Sequence, residues 1–237
     1  MSVDLILFDL DGTLLDSGDI IIAAQEQTAA ALGLIHPGRE AGFAVVGLSL
    51  ELALGELFGA GAPVDELTDT YKRTFNGMRG SGGFEEKLFD GVAAMLAELS
   101  AWERAKLGVA TGKTRRGLDY VVDMYGWHDL FVTLQTADSA PSKPHPGMIL
   151  QAIAAAGSSP QRTVMIGDSV HDMRMAKAAG VGAIAVSWGF QPVSMLVEAE
   201  AAHVASRASD LPALIAACLG RERACLLYTS PSPRDRG

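Results

Sequence analysis

The chain has 237 residues, 49% hydrophobic and 20% charged, with a mean hydropathy of +0.21, which is enough apolar material to bury a sizeable core. Its formal charge of -9 and isoelectric point near 5.0 argue against broad binding to nucleic acid or anionic membrane, since both need an excess of Lys and Arg on one surface. Apolar runs such as 180–186 are too short to span a bilayer, and Met1-Ser2-Val3-Asp4 lacks the basic and apolar regions of a signal peptide, so a cytoplasmic location is expected.

Residues 3–8 form a short apolar, β-branched and aromatic run that suits a strand buried on both faces, ending abruptly in Asp9-Leu10-Asp11-Gly12-Thr13. Similar runs recur at 107–110, 130–134, 163–166 and 183–187, separated by patterns of helical length at 91–100, 117–125, 147–156, 171–179 and 211–219. This alternation predicts an α/β fold with a doubly wound, mostly parallel sheet and helices on both faces. The segment 17–84 breaks it with helical patterns alone, chiefly 20–32, 50–58 and 64–78, and reads as an α-helical insert. Its exit, Arg79-Gly80-Ser81-Gly82-Gly83, has the composition of a hinge, and two crossings close together suit a hinged lid. The expected division is a discontinuous core, 1–16 with 85–223, and an insert, 17–84.

Residues 224–237 shift abruptly to Ser, Pro and Arg, resemble a reading frame of a sequencing adapter, and are set aside from the fold as non-native. Of the two cysteines this leaves Cys218, so no internal disulfide is expected.

Ligands of an open parallel sheet bind beyond the carboxyl ends of its strands. Asp9, Asp11 and Thr13 follow the first strand, Thr111-Gly112-Lys113 the second, and Gly167-Asp168 and then Asp172 the fourth; Lys143 lies in the loop 139–146. Asp9 and Asp11, one residue apart at a strand end, can project into one crevice, while the Gly12 turn brings backbone N–H groups toward an anion. Asp168 and Asp172 offer hard oxygen ligands of the kind magnesium prefers, and a divalent ion would relieve the repulsion between so many carboxylates.

The segments Asp9-Leu10-Asp11-Gly12-Thr13-Leu14-Leu15-Asp16-Ser17, Val109-Ala110-Thr111-Gly112-Lys113, Ser142-Lys143-Pro144 and Ile166-Gly167-Asp168-Ser169-Val170-His171-Asp172 resemble the four motifs of the haloacid dehalogenase-like hydrolases, in that order. The resemblance covers 4–219, and the insert corresponds to a C1 cap. Within the superfamily the chain is similar to phosphoglycolate phosphatase-like members.

The resemblance implies that Asp9 attacks phosphorus to form an aspartyl-phosphate, and that Asp11 protonates the leaving alkoxide and then deprotonates the hydrolytic water. Thr111 would hydrogen-bond the phosphoryl group and Lys143 would neutralise charge. Asp9, Leu10, Asp11, Thr111, Gly112 and Lys143 would surround the substrate, a small phosphorylated metabolite. Mg2+ would be held by Asp9, the Asp11 carbonyl and Asp168, with Asp172 acting through water. The same resemblance leaves pyrophosphatase, nucleotidase or β-phosphoglucomutase activity as alternatives, and a catalytically silent scaffold as a further one; the chain is expected to be a monomer or homodimer. Lys113, Arg115 and Arg116 read as a solvated helix start, and His145 and His171 as ordinary loop and helix positions. Gly47-Leu48-Ser49 fits either a loop facing the site or a plain turn, and Arg79 either a substrate contact or a solvated side chain.

Overall fold

The computed structural model describes residues 3–80 and 86–220. The notional hinge beyond Gly80 and the segment 224–237 therefore lie outside the described residues.

Six strands form one parallel sheet: β1 (Asp4–Phe8), β4 (Ala105–Thr111), β5 (Phe131–Thr136), β6 (Thr163–Gly167), β7 (Gly182–Val186) and β8 (His203–Ala205). Their order, β5-β4-β1-β6-β7-β8, sets β1 at the centre with β4 and β6 on either side. The chain winds outward from β1 through β4 to β5, then crosses to β6 and winds outward the other way. The carboxyl ends of β1, β4 and β6 therefore meet where the winding reverses, and side chains leaving those ends share a crevice.

Alternation along β1 shows why the strand is apolar from Leu5 to Phe8. Ile6 and Phe8 face a cluster with Leu96 and Leu99 of α5 (Val92–Ser100), Leu118 and Val121 of α6 (Arg115–Tyr125) and Leu211 and Ile215 of α10 (Leu211–Cys218). Leu5 and Leu7 face the other side, against Met148 and Ile149 of α7 (Gly147–Ala156), Met173 and Ala176 of α8 (Val170–Ala179) and Leu196 of α9 (Val193–Glu198). With both faces covered, Leu5 to Phe8 are apolar, Asp4 at the start of the strand is buried against Arg162, and beyond Phe8 the polar residues of the site begin.

The helical insert leaves the core through β2 (Leu15–Asp16) and returns through β3 (Lys87–Leu88), which pair antiparallel, so its two crossings lie side by side. It comprises α1 (Gly18–Ala31), α2 (Arg39–Ala44), α3 (Leu50–Phe58) and α4 (Val64–Gly80). Ile20, Ile21 and Ala24 of α1 pack on Phe75 and Met78 of α4, while Val45, Leu48, Ala53 and Leu57 form a second cluster. Among the described residues no helix is long and apolar enough to cross a membrane.

Candidate active site

The turn after β1 is coiled round a single carbonyl. Thr13, Leu14 and Leu15 all donate their N–H to the Leu10 oxygen, at 3.1, 2.9 and 2.8 Å. This curl turns the Leu10 side chain into the core, and the Leu10 N–H donates to Asp9 Oδ1 at 2.8 Å, fixing the carboxylate. Gly12 adopts φ +84°, and a Cβ there would overlap the Asp168 carboxylate, so the position demands glycine on both counts.

Lys143 arrives from the loop after β5 and is fully buried, its Nζ 2.8 Å from Asp9 Oδ2 and 2.6 Å from Asp172 Oδ1. Asp172 sits in the first turn of α8, where Ser169 caps the helix: Asp172 N donates to Ser169 Oγ, and Ser169 N and Oγ donate back to Asp172 Oδ2. Both oxygens of Asp172 thus have protein partners, and one of them steers Lys143 toward Asp9. Asp168 accepts from Thr13 Oγ1 at 3.0 Å and from Phe190 N at 2.9 Å.

Lys113 corrects the sequence reading. It is not a solvated helix start: its side chain is 9% exposed, with Nζ 2.9 Å from Asp11 Oδ1 and 3.0 Å from Glu86 Oε1. The helix begins two residues further on, at Arg115, capped by Thr114, and Arg115 and Arg116 do face solvent. Ser17 Oγ donates to Asp11 Oδ1 at 2.6 Å. Glu86, buried and carrying no motif, also receives Arg79, whose guanidinium lies 4.1 Å from the Tyr120 ring centre and 4.9 Å from that of Phe75. Arg79 is therefore a buried member of this network rather than a solvated side chain.

Thr111 is buried at the end of β4, its hydroxyl accepting from Lys113 N at 3.2 Å. Gly112 lies under the insert: a Cβ there would collide with the Leu48 and Gly47 carbonyls. The Gly47–Ser49 loop consequently faces the site, and Ser49 N donates to Ser142 Oγ, beside Lys143, at 2.8 Å. His171 Nε2 lies 3.2 Å from the Ala44 oxygen, and His145 Nδ1 accepts from Gly147 N within its own turn. Asp9, Asp11, Thr111 and Gly112 line a cavity of about 670 Å³ that runs between sheet edge and insert. Lys143, Asp168 and Asp172 flank Asp9 outside the cavity wall.

Burial sets the electrostatics. It pushes the Asp9 carboxyl up to about 7, Lys143 opposing this and Asp172 adding to it. It pushes Asp168 up to about 8, with the neighbouring Asp172 and Asp9 charges in the same direction. Asp11 goes the other way: burial would raise it, but Lys113 and the Ser17 hydroxyl hold it below the usual carboxylate range. Burial would lower Lys143, yet Asp172 and Asp9 raise it, so its ammonium stays charged. Asp9, Asp168 and Asp172 place carboxylate oxygens within 4.8 Å of one another, all buried. Three hard oxygen donors held together, two of them reluctant to ionise because they are buried beside one another's charge, fit a small divalent cation.

The model of the family described as haloacid dehalogenase-like hydrolase matches residues 6–186, and the chain belongs to that family of enzymes. Among its relatives are the pyrophosphatase PpaX of Bacillus pumilus, 30% identical over 91% of this chain and 98% of its own length, and a phosphoglycolate phosphatase of Xanthomonas campestris pv. campestris, 30% identical over 78% and 84%. The solved structure of a haloacid dehalogenase-like family hydrolase from Streptococcus pneumoniae superposes with a TM-score of 0.77 at 26% identity, covering 90% of this chain and 98% of that one.

Proposed function

We propose that the protein is a magnesium-dependent phosphatase that hydrolyses a small phosphomonoester through a phosphorylated Asp9. The observation that carries this reading is Asp9 itself: a buried carboxylate at the end of the central strand, oriented by the Leu10 N–H, neutralised by Lys143 and followed two residues later by a second acid. An Asp9 oxygen attacks phosphorus, the bond from phosphorus to the leaving oxygen breaks, and that oxygen is protonated through Asp11, which is ionised in the resting cluster and relays the proton from the Lys113 ammonium 2.9 Å away. Water then attacks the aspartyl-phosphate, Asp11 takes the proton, and phosphate departs from Asp9. Thr111 donates to a phosphoryl oxygen, and Lys143 offsets charge on the nucleophile and the transferring group. Asp9, Asp168 and the Asp11 carbonyl would hold Mg2+, with Asp172 reaching it through water. When bound, the ion screens the phosphoryl oxygens from the attacking carboxylate.

In this reading 17–84 is a cap over the core made of 1–16 and 85–223, and its closure excludes water from the site. The family resemblance and the Xanthomonas relative's name suggest phosphoglycolate as a member of the substrate class, and the Bacillus relative's name suggests pyrophosphate. The test is phosphate release from a panel of phosphorylated metabolites, with and without Mg2+, by the wild type and Asp9→Asn. Magnesium-dependent release that falls by ~10³-fold or more in Asp9→Asn is expected. Equal release by the two proteins would sink the mechanism.

A further inference from the structure

The cavity beside Asp9 and Asp11 is much larger than a two-carbon acid requires. At about 670 Å³ it lies within the ~300–1,000 Å³ range of pockets that enclose whole organic ligands. The insert's side of the cavity includes Ile21, Val45, Val46, Leu48 and Phe75, together with the polar Gln25, Tyr71 and Asn76. A leaving group reaching that side meets mostly hydrocarbon.

The cations tell the same story. Arg79 and Lys113 line the cavity, yet both converge on Glu86, and Lys113 also holds Asp11. Two positive and two negative charges balance within one buried cluster. Asp11 and Glu86 already offset both positive charges, so an anionic leaving group meets a cluster of zero net charge there and gains far less from it than from two free cations. Among the described residues the other basic side chains lining the cavity are Lys72 and Arg116, both exposed, with Lys72 3.5 Å from Glu51. Water screens such side chains and weakens them as anion ligands. Residues 81–85 contain no Lys or Arg.

Building on the phosphatase reading above, we infer that the preferred substrate is a phosphomonoester whose leaving group is uncharged and carries an apolar, ring-sized body, rather than one releasing an anion such as glycolate or phosphate. The phosphoryl end occupies the Asp9 and Thr111 corner, with Lys143 behind Asp9, and the organic body lies along the Val46, Leu48 and Phe75 side. Glu86 acts as the specificity-determining residue, because its charge offsets the attraction of Arg79 and Lys113 for a second anion.

The experiment compares kcat/KM of the wild type, with Mg2+, for benzyl phosphate, 2-phosphoglycolate and pyrophosphate. Benzyl phosphate is chosen because its leaving group is an alcohol, as that of phosphoglycolate is, so the two differ mainly in what surrounds the bond. Benzyl phosphate is expected to exceed both others by about tenfold or more. Phosphoglycolate or pyrophosphate turned over as well or better, with the Asp9 dependence intact, would overturn this inference and leave the phosphatase reading standing. No Asp9-dependent release from any of the three would overturn both. In the second arm Glu86→Gln frees one positive charge, and the ratio of phosphoglycolate to benzyl phosphate turnover is expected to rise by about tenfold. An unchanged ratio in a variant that melts as a folded protein would also overturn the inference.

Discussion

Gly189 has no side chain, and that is what lets Asp168 point where it does. A Cβ at 189 would collide with the Asp168 side chain, while the next residue, Phe190, donates its N–H to Asp168 Oδ2. The substitution Gly189→Ala should therefore turn Asp168 away from Asp9 while leaving the buried core untouched. Apparent Mg2+ affinity is expected to weaken by about 10- to 100-fold, the range seen when groups that orient a metal ligand are disturbed. Magnesium titration of turnover and of the melting temperature would both report it; unaltered titrations would show that Asp168 tolerates the displacement. Nothing in the sequence marks Gly189, since a lone glycine after a strand has no spacing to interpret. Asp9, Asp11, Asp168 and Asp172 were legible because each follows a recognisable strand at a fixed offset. Lys113 was misread because its partners Asp11 and Glu86 are distant in sequence, and a Lys before a helix is ordinarily solvated.

The same contrast holds for elements. Long periodic segments were readable: α3 and α7 begin and end where their patterns predict. The missed elements are short, namely the two-residue strands β2 and β3, the three-residue β8, and the six-residue helices α2 and α9. A strand of two residues has no periodicity, and it exists because a partner supplies its hydrogen bonds. The loop after β7 was likewise silent, although it ties three parts of the molecule together. Trp188 Nε1 donates to the Thr13 oxygen at 3.0 Å, Gln191 accepts from Val170 N and donates to the Ala44 oxygen, and Phe190 stacks on Phe43 of the insert at 4.7 Å. Phe190 also packs against the α1–α4 cluster of the insert, so Phe190→Ala should loosen the insert while the core stays folded. An increase in KM and a fall in kcat, each on the order of tenfold, are expected, together with faster proteolysis between residues 39 and 49. Unchanged kinetics with unchanged proteolysis would mean that the stack does not hold the insert closed.

At the scale of the whole molecule, an acidic chain of net charge -9 places three of its acids, all buried, around one point, so its stability must respond to what neutralises them. Asp9 and Asp168 have folded-state values of about 7 and about 8 against an ordinary 3.8. Between about pH 4 and 8 the folded protein without a divalent ion therefore keeps protons that the unfolded chain has released. Stability falls with rising pH wherever the folded state holds the extra protons, so this contribution is greatest below pH 4 and is lost as the pH climbs through 7 and 8. A cation bound by the same oxygens removes the reason for holding those protons and stabilises the folded state in proportion to its occupancy. The rise in melting temperature on adding Mg2+ should accordingly be larger at pH 8 than at pH 5, by ~4 °C for a chain of this size. Thermal melts at the two pH values, with excess Mg2+ and with a chelator, measure this directly. A magnesium effect equal at both would mean that the acids around Asp9 are already neutralised within the protein, with Lys143 alone sufficient for all three.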